Sequence, residues 1–298
     1  MSGEIPAIDI HDLVRGYGRT EAVRGLKLEV RPGRCYGFFG RNGAGKTTTI
    51  KCLLNHLRPR SGWARVFGLD PRIEEVEVKK KLTYVPENVA FYPWMTVRGT
   101  IEYAASFREH WNREIEKDLL KRFGLDERKK TKALSKGMKA QLALICAVCP
   151  EPDLLLLDEP TSGLDPIVRR EFIETVIGSY MEGDPENRTV FVSTHLITEF
   201  EGLIDEFTII DQGKNRLTLE TEEARKRFKR FRLRFAGEPP EIENNGALRV
   251  LRDGAELDVW TSDYSEELEQ RLRGYAPESF LVENLSLEEI FIAADRMK

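Results

Sequence analysis

The chain has 298 residues, of which 41% are hydrophobic and 32% are charged, and its formal net charge is -4. This composition is typical of a folded globular protein and argues against a disordered chain. The charge balance gives no reason to expect nucleic acid as the main partner. We find no apolar stretch that could cross a bilayer and no signal segment in residues 1–10. If the protein works at a membrane, another chain must supply the spanning helices.

The first part of the chain predicts two paired strands, one buried strand and a helix. Apolar residues alternate through residues 7–30, which favours a strand pair. Residues 35–39 read as a buried strand that runs into a glycine-rich turn at Gly40. Apolar residues at helical spacing from residue 50 to 57 predict a helix that continues until Pro59 ends it.

The middle of the chain alternates between helical and strand patterns. From residue 96 to 147 the pattern is helical and highly charged. Apolar strands follow at residues 154–158, 189–194 and 206–211. Apolar strands that alternate with helices predict an α/β fold with a parallel sheet covered on both faces.

The composition changes after about Gly213. Residues 225–232 form a basic run, which we interpret as a solvated helix face and linker; contact with a membrane surface or nucleic acid is the alternative. An Asp-Gly turn at 253–254 predicts a hairpin, and the segment 286–289 has the pattern of a capping box that opens a last helix. We therefore predict a small α+β domain, with strands from residue 231 onward.

The four cysteines give no sign of redox or metal chemistry. Cys146 and Cys149 form a C-x-x-C, but they lie in an apolar run of helical spacing. A redox or metal role needs an exposed motif near a helix start or a second ligand pair. We interpret these cysteines as buried core residues, and reduced thiols fit a cytoplasmic protein.

The strongest motif begins at Gly40 and fits G-x-x-x-x-G-K-[ST] between a strand and a helix. Its glycines let backbone N–H groups surround phosphate oxygens, and the helix N-terminus favours negative charge. We expect Lys46 to reach the β- and γ-phosphates and Thr47 to hold Mg²⁺ through its hydroxyl. The predicted nucleotide contacts of this segment are Gly40, Asn42, Gly43, Ala44, Gly45, Lys46, Thr47 and Thr48. The motif predicts nucleoside triphosphate binding and leaves the branch of P-loop proteins open.

A second motif follows four consecutive leucines, where the strand ends in Asp158 and Glu159 comes next. At this strand end Asp158 is expected beside the metal, through a water molecule. The adjacent Glu159 can then orient or deprotonate the attacking water. The alternative is a buried strand whose acidic end only meets solvent, which two carboxylates in a chain with a P-loop argue against.

Three further segments carry recognisable motifs: residues 134–138 (LSKGM), 161–166 (TSGLDP) and 193–195 (STH). Their order along the chain, with the two motifs above, is specific to one protein family. Together with the P-loop they resemble the nucleotide-binding domain of ABC transporters over about residues 5–220. The tail, which contains VENLSLEEIF, resembles the accessory domain of ABC-2 type exporter ATPases. The resemblance implies an ATPase domain at 1–222 with a helical subdomain at about 88–150, and an accessory α+β domain at 223–298. It also implies ATP and Mg²⁺, a second ATPase subunit, and a permease at the cytoplasmic face of the cell membrane.

The resemblance also assigns roles to residues outside the P-loop. Tyr17 matches the aromatic residue that stacks on adenine, although alone it would read as a turn tyrosine. Ser135 and Gly137 open a helix and would present a hydroxyl and free N–H groups to the γ-phosphate bound by the second subunit. Asp165 would link the two sites. His195 matches the switch histidine that contacts the γ-phosphate, although a histidine at a strand end is more often structural.

Two departures from the family pattern stand out. Glu87 replaces the usual glutamine; its carboxylate can approach Mg²⁺, but it adds negative charge beside the triphosphate. Lys136 and Met138 replace a glycine and a glutamine of the LSGGQ signature. The aromatic segment 91–95 suits either a docking groove for the membrane subunit or an ordinary core. Two other functions stay open: a soluble ABC ATPase that acts on nucleic acid or ribosomes, and a regulatory module that binds ATP without turnover.

Overall fold

A computed structural model describes residues 4–165, 169, 172–173, 179–242 and 247–294. The chain divides into two compact units, Met1–Arg216 and Leu217–Lys298. The helices and strands that begin before the boundary are β1 (Ile8–Tyr17), β2 (Thr20–Val30), β3 (Cys35–Phe39), α1 (Lys46–Leu53), β4 (Ser61–Val66), α2 (Glu75–Lys81), β5 (Leu82–Val85), α3 (Val97–Ala105), α4 (Arg113–Arg122), α5 (Lys136–Val148), β6 (Leu154–Asp158), α6 (Ser179–Gly183), β7 (Thr189–Thr194), β8 (Glu206–Asp211) and β9 (Lys214–Glu220). After it come α7 (Thr221–Arg227), β10 (Lys229–Arg234), β11 (Ala247–Asp253), β12 (Glu256–Thr261), α8 (Glu266–Arg273), β13 (Ser279–Asn284) and α9 (Leu287–Ala294).

The six-stranded sheet of the first unit determines where the site lies. Its order is β5-β6-β7-β3-β8-β9, and the pairings among the first five strands are parallel, as the sequence predicts. Phe39 pairs with Thr194, and Asp158 pairs with Ser193. Because carboxyl ends of parallel strands meet at one edge, the segments after β3, β6 and β7 come together there.

This sheet is buried on both faces because its central strands are almost wholly apolar. Every residue of β3 and of β6 is buried. Tyr36 stacks on Phe191 with ring centroids 5.8 Å apart, and its hydroxyl shares a 2.6 Å hydrogen bond with Thr208 Oγ1. Each fully buried aromatic of this kind contributes roughly 1.5–3 kcal/mol to folding. The predicted strands at 35–39, 154–158, 189–194 and 206–211 are confirmed at those bounds.

A separate three-stranded sheet with the order β2-β1-β4 confirms the predicted strand pair at 7–30. The helix predicted to continue to Pro59 is shorter, and this prediction is wrong. The helix α1 ends at Leu53, because Asn55 takes a left-handed conformation with φ of 56°. The Asn55 side chain also donates to Glu75 Oε2 at 3.0 Å, which ties the end of α1 to the start of α2.

The charged middle region forms three helices, α3 to α5, as predicted. Their N-termini are capped by Thr96, Asn112 and Ser135, whose side chains accept hydrogen bonds from backbone N–H groups of the first turn. Cys149 is fully buried, and Cys146 lies in α5 with a pKa that burial raises to about 12. Both are free cysteines; the interpretation as a buried core residue is confirmed for Cys149, whereas Cys146 is only half-buried.

The second unit contains an antiparallel sheet with the order β11-β12-β10-β13 and a core formed by one sheet face and α8. The predicted hairpin is confirmed, since Asp253 pairs with Glu256 around Gly254 at a φ of 56°. The predicted capping box is also confirmed. Ser286 N donates to Glu289 Oε2 at 2.9 Å, and Glu289 N donates to Ser286 Oγ at 3.1 Å.

The basic run at 225–232 is largely neutralised by acidic side chains of its own unit. Arg225 pairs with Glu222 at 2.8 Å, and Arg227 pairs with Glu223 at 3.0 Å. In β10, Arg230 pairs with Asp258, and Arg232 pairs with Glu283 at 3.2 Å. The run therefore comprises the last turn of α7 and most of β10, and most of its charges are balanced locally.

Candidate functional site

The loop between β3 and α1 is shaped by glycines in conformations that other residues adopt with strain. Gly43 and Gly45 have φ of 83° and 111°, and a Cβ on Gly45 would lie 2.5 Å from the carbonyl oxygen of Ala22. The N–H of Ala44 donates to the carbonyl of Arg41 at 3.0 Å, which closes the turn. Asn42 and Gly43 are exposed at the tip, Thr47 is half-buried, and Thr48 is buried on α1. The loop thus presents an open tip ahead of a helix N-terminus, the arrangement that binds phosphate.

The Lys46 side chain folds back into this loop and is only 6% exposed. Its Nζ donates to the carbonyl of Gly40 at 2.7 Å and lies 3.0 Å from Glu159 Oε1. The P-loop lysine is therefore paired with the carboxylate that the sequence predicts to be catalytic. A triphosphate bound at the loop would compete with Glu159 for this ammonium group.

Glu159 lies directly after β6 at the centre of the site, with a positive φ of 47°. Its N–H donates to the carbonyl of Ser193 at 2.7 Å. Its Oε2 accepts from Thr194 Oγ1 at 3.1 Å and lies 2.8 Å from His195 Nδ1. When the carboxylate is ionised, Nδ1 must be the donor, which fixes the histidine tautomer. Burial raises the pKa of Glu159, but the His195 hydrogen bond and the Lys46 charge outweigh burial, so the pKa is lowered.

One oxygen of this buried carboxylate lacks a complete hydrogen-bond environment. Glu159 Oε1 contacts Lys46 as an ion pair, but it has no well-directed hydrogen bond from any described residue. A buried carboxylate oxygen in this condition is costly unless water or a ligand supplies a donor. The site therefore suits a water molecule beside Glu159, which is what hydrolysis requires.

Asp158 is 1% exposed and held by two hydroxyl groups. Its Oδ1 accepts from Ser193 Oγ at 2.9 Å, and its Oδ2 accepts from Tyr84 Oη at 3.4 Å. Burial, with the negative charges of Asp158 and Glu87, raises the pKa of the Tyr84 hydroxyl. Carboxylate and hydroxyl oxygens are the ligand types that Mg²⁺ prefers, so Asp158 and Thr47 fit a magnesium ion by chemistry.

The other predicted residues lie in separate parts of the first unit. Tyr17 is half exposed at the end of β1, with the Arg15 guanidinium 5.7 Å from its ring centroid. Ser135 is exposed as the N-cap of α5, and its Oγ accepts from Met138 N at 3.2 Å; Gly137 follows in the first turn. Asp165 is exposed, while Pro166 lies outside the described residues.

Sequence reasoning assigned no role to three residues that hold the carboxylates. Tyr84 of β5 and Ser193 of β7 donate to Asp158, and Thr194 at the end of β7 donates to Glu159. The available signal was a hydroxyl side chain in otherwise apolar parallel strands. Because such a group must be hydrogen-bonded when buried, it points to a polar partner at the same sheet edge.

A glycine-rich phosphate loop between a parallel strand and a helix, with two carboxylates at the end of a nearby strand, defines a P-loop nucleotide-binding protein. Residues 23–162 match the family model described as "ABC transporter". The chain is 34% identical over 222 residues to the bacitracin transport ATP-binding protein BcrA of Bacillus licheniformis, which covers 74% of this chain and 72% of the relative.

Similarity to a second relative extends over nearly the whole chain. The uncharacterized ABC transporter ATP-binding protein YhaQ of Bacillus subtilis (strain 168) is 31% identical over 303 residues, 96% of this chain and 97% of the relative. A solved structure of an ATP binding subunit of an ABC transporter superposes with a TM-score of 0.66 at 27% identity, covering 74% of this chain and 92% of that one. The chain therefore belongs to the ATP-binding subunits of ABC transporters, and it is an ATPase. Among the described residues, no helix is both long and apolar enough to cross a membrane.

Proposed function

We propose that this chain converts ATP binding and hydrolysis into movement of a separate membrane-spanning permease, as one of two ATPase subunits on the cytoplasmic face of the membrane. The observation that carries the proposal is the cluster in which Glu159 contacts both Lys46 and His195 at the ends of β6 and β7. The cluster combines a phosphate-binding cation with a carboxylate that lacks a hydrogen-bond donor on one oxygen. These are the groups that phosphoryl transfer to water requires.

Each residue of the cluster has a distinct part in the proposed reaction. Lys46 moves from Glu159 to the phosphates, which frees Oε1 of the carboxylate to accept a hydrogen bond from water. His195 Nδ1 holds Oε2 of Glu159 in place, and this contact orients the other oxygen, Oε1, toward the water molecule. Asp158 and Thr47 would hold Mg²⁺, which would neutralise charge on the phosphates. The backbone N–H groups of the loop from Gly40 to Gly45 would surround the phosphate oxygens.

The second ATPase subunit is proposed from the start of α5. Ser135 is exposed there, and α5 is a 13-residue helix whose first N–H groups carry partial positive charge. In the dimer that the family resemblance implies, Ser135 and Gly137 would face the γ-phosphate of the opposite subunit, and Asp165 would connect the two sites. ATP then closes the dimer, and hydrolysis reopens it.

The permease contact is proposed from a cluster of exposed aromatic rings, Tyr92, Trp94, Tyr103 and Phe107, hereafter the aromatic cluster. They are 45% to 70% exposed. The Tyr92 ring centroid lies 5.0 Å from that of Trp94 and 6.0 Å from that of Tyr103, which in turn lies 5.0 Å from that of Phe107. Phe107 also lines a cavity of about 630 Å³ beside α2. A contiguous exposed apolar patch marks an interaction site, so exposure of Tyr92 and Trp94 favours the docking interpretation of segment 91–95 over the core.

Export is the proposed direction, supported by the resemblance of the tail to exporter ATPases. A machine that acts on nucleic acid or ribosomes is the alternative. Local neutralisation of the basic run argues against it, because phosphate binding needs unpaired cations.

The test is co-purification from gently solubilised membranes of the native cell. We expect the tagged chain to recover a polytopic membrane protein, and we expect Trp94→Ser with Phe107→Ser to lose it while ATP hydrolysis by the isolated subunit is kept. The matched control is Ile73→Ser, which removes an apolar side chain that is 81% exposed elsewhere in the same unit. Recovery with ribosomes or DNA from the soluble fraction would replace the transporter proposal with its rival.

A further inference from the structure

The two charged departures from the family pattern line the same cavity. Glu87 and Lys136 both face a space of about 200 Å³, which is also lined by Lys139 and Ser162. Glu87 comes from the segment after β5, and Lys136 is the first residue of α5. Residues that are 49 positions apart in sequence, and that carry opposite charges, are thus brought together by the fold.

The Lys136 side chain is directed toward the segment that follows Glu159. Its Nζ lies only 2.6 Å from where a Cβ on Gly163 would be, so the absence of a side chain at Gly163 makes room for it. That segment is tied to the backbone of Glu159, since Ser162 N donates to the main-chain carbonyl of Glu159 at 3.1 Å. Lys136 therefore places a positive charge beside the segment that follows Glu159.

The negative charge of Glu87 acts on the same region from the segment after β5. Glu87 is exposed, and it acts electrostatically on Tyr84, whose hydroxyl contacts Asp158. An extra carboxylate here repels a bound triphosphate. Among the described residues neither Glu87 nor Lys136 forms an ion pair, with each other or with a third group, and Lys139 is the other positively charged residue that lines the cavity.

We propose that Lys136 is a positioning residue that neutralises Glu87 across this cavity, so that the chain binds triphosphate with a carboxylate where the family carries glutamine. The inference rests on the proposed placement of ATP at Lys46. It treats the two departures as one compensated pair, in which Lys136 acts on the nucleotide through Glu87.

The test is a double-variant cycle read by equilibrium binding. ATP affinity is measured calorimetrically in EDTA, where no turnover occurs, for Lys136→Gln in the wild-type and Glu87→Gln backgrounds. We expect Lys136→Gln to weaken binding about two- to fivefold, because the Glu87 carboxylate, no longer neutralised, then repels the triphosphate as one unit charge does at roughly 8 Å in a mostly aqueous dielectric. We expect no change in the Glu87→Gln background. High salt should shrink the wild-type loss, since exposed charges are screened.

Either of two results would overturn the proposal: the same loss in both backgrounds, which makes Lys136 a direct nucleotide contact, or no loss in either. Lys136→Arg should keep wild-type affinity, and Lys117→Gln on α4 removes an exposed positive charge outside the cavity as the control. Thermal unfolding checks that each variant folds. Lys46→Ala is the separate check, because unchanged ATP binding in that variant would contradict the proposed site and not the compensation.

Discussion

At the scale of single residues, the central feature of the site is the ion pair between Lys46 and Glu159, which a bound triphosphate would break. Each of the two residues has its proposed task only when the pair is broken. The arrangement explains how a buried lysine and a buried carboxylate are tolerated at the proposed triphosphate site. Removing one partner of such a pair leaves the other uncompensated.

Glu159→Gln is therefore expected to act in two opposite directions. Turnover should fall at least about a hundredfold, because the general base is lost. ATP binding should be kept or tightened, because Lys46 no longer has a charged competitor. Phosphate release and calorimetry measure the two effects, with Glu114→Gln, at an exposed carboxylate on α4, as the control. Retained hydrolysis in the Glu159 variant would remove this residue from the catalytic role.

The same pair predicts a pH dependence of stability. The folded-state pKa of Glu159 lies below its usual value of 4.5, so its contribution is present above about that pH and is lost as the pH falls toward the folded value. The stability difference between wild type and Glu159→Gln should accordingly shrink on acidification. Urea unfolding at neutral pH and below pH 4.5 measures it; a difference that grows on acidification would contradict the assignment.

At the scale of elements, α5 and α8 begin with serine N-caps of the same kind, which allows a matched comparison. Ser135 caps α5 by accepting from Met138 N at 3.2 Å, and Ser265 caps α8 by accepting from Leu268 N at 3.2 Å. Each Ser→Ala change should cost about 1 kcal/mol of stability. Only Ser135→Ala should also lower ATP turnover, since its hydroxyl is proposed to face the second subunit's nucleotide. Equal turnover in the two variants would limit Ser135 to capping.

Elements also show what the sequence could and could not predict. The strands β3, β6, β7 and β8 were predictable at their bounds because a strand buried on both faces is a continuous apolar run. The end of α1 was not, because a left-handed Asn55 gives no periodic signal. The P-loop was predictable from spacing, whereas the contact of Lys46 with Glu159 joins residues 113 positions apart and depends on strand order. The sequence could not predict whether the aromatic cluster is exposed, since aromatic residues suit cores and interfaces alike.

At the scale of the whole molecule, the prediction concerns association. Glu159→Gln should be monomeric without nucleotide and dimeric with Mg-ATP, because ATP would be held between two subunits and not released by hydrolysis. Adding Ser135→Ala to that variant should weaken the dimer, whereas Ser265→Ala should not. Sedimentation velocity distinguishes these cases. A Glu159→Gln chain that stays monomeric at saturating Mg-ATP would contradict the proposed composite site.

The hydrogen bond between His195 Nδ1 and Glu159 makes the histidine a built-in reporter of the catalytic carboxylate. The chain has only four histidines, so the imidazole signals of His195 can be resolved in a nitrogen-correlated NMR spectrum. While Glu159 is ionised and in contact, the ring is held in a tautomer with the proton on Nδ1. Any event that draws Glu159 away releases that constraint and moves both nitrogen resonances. The engagement of the carboxylate can thus be followed in the intact chain without a label on the nucleotide.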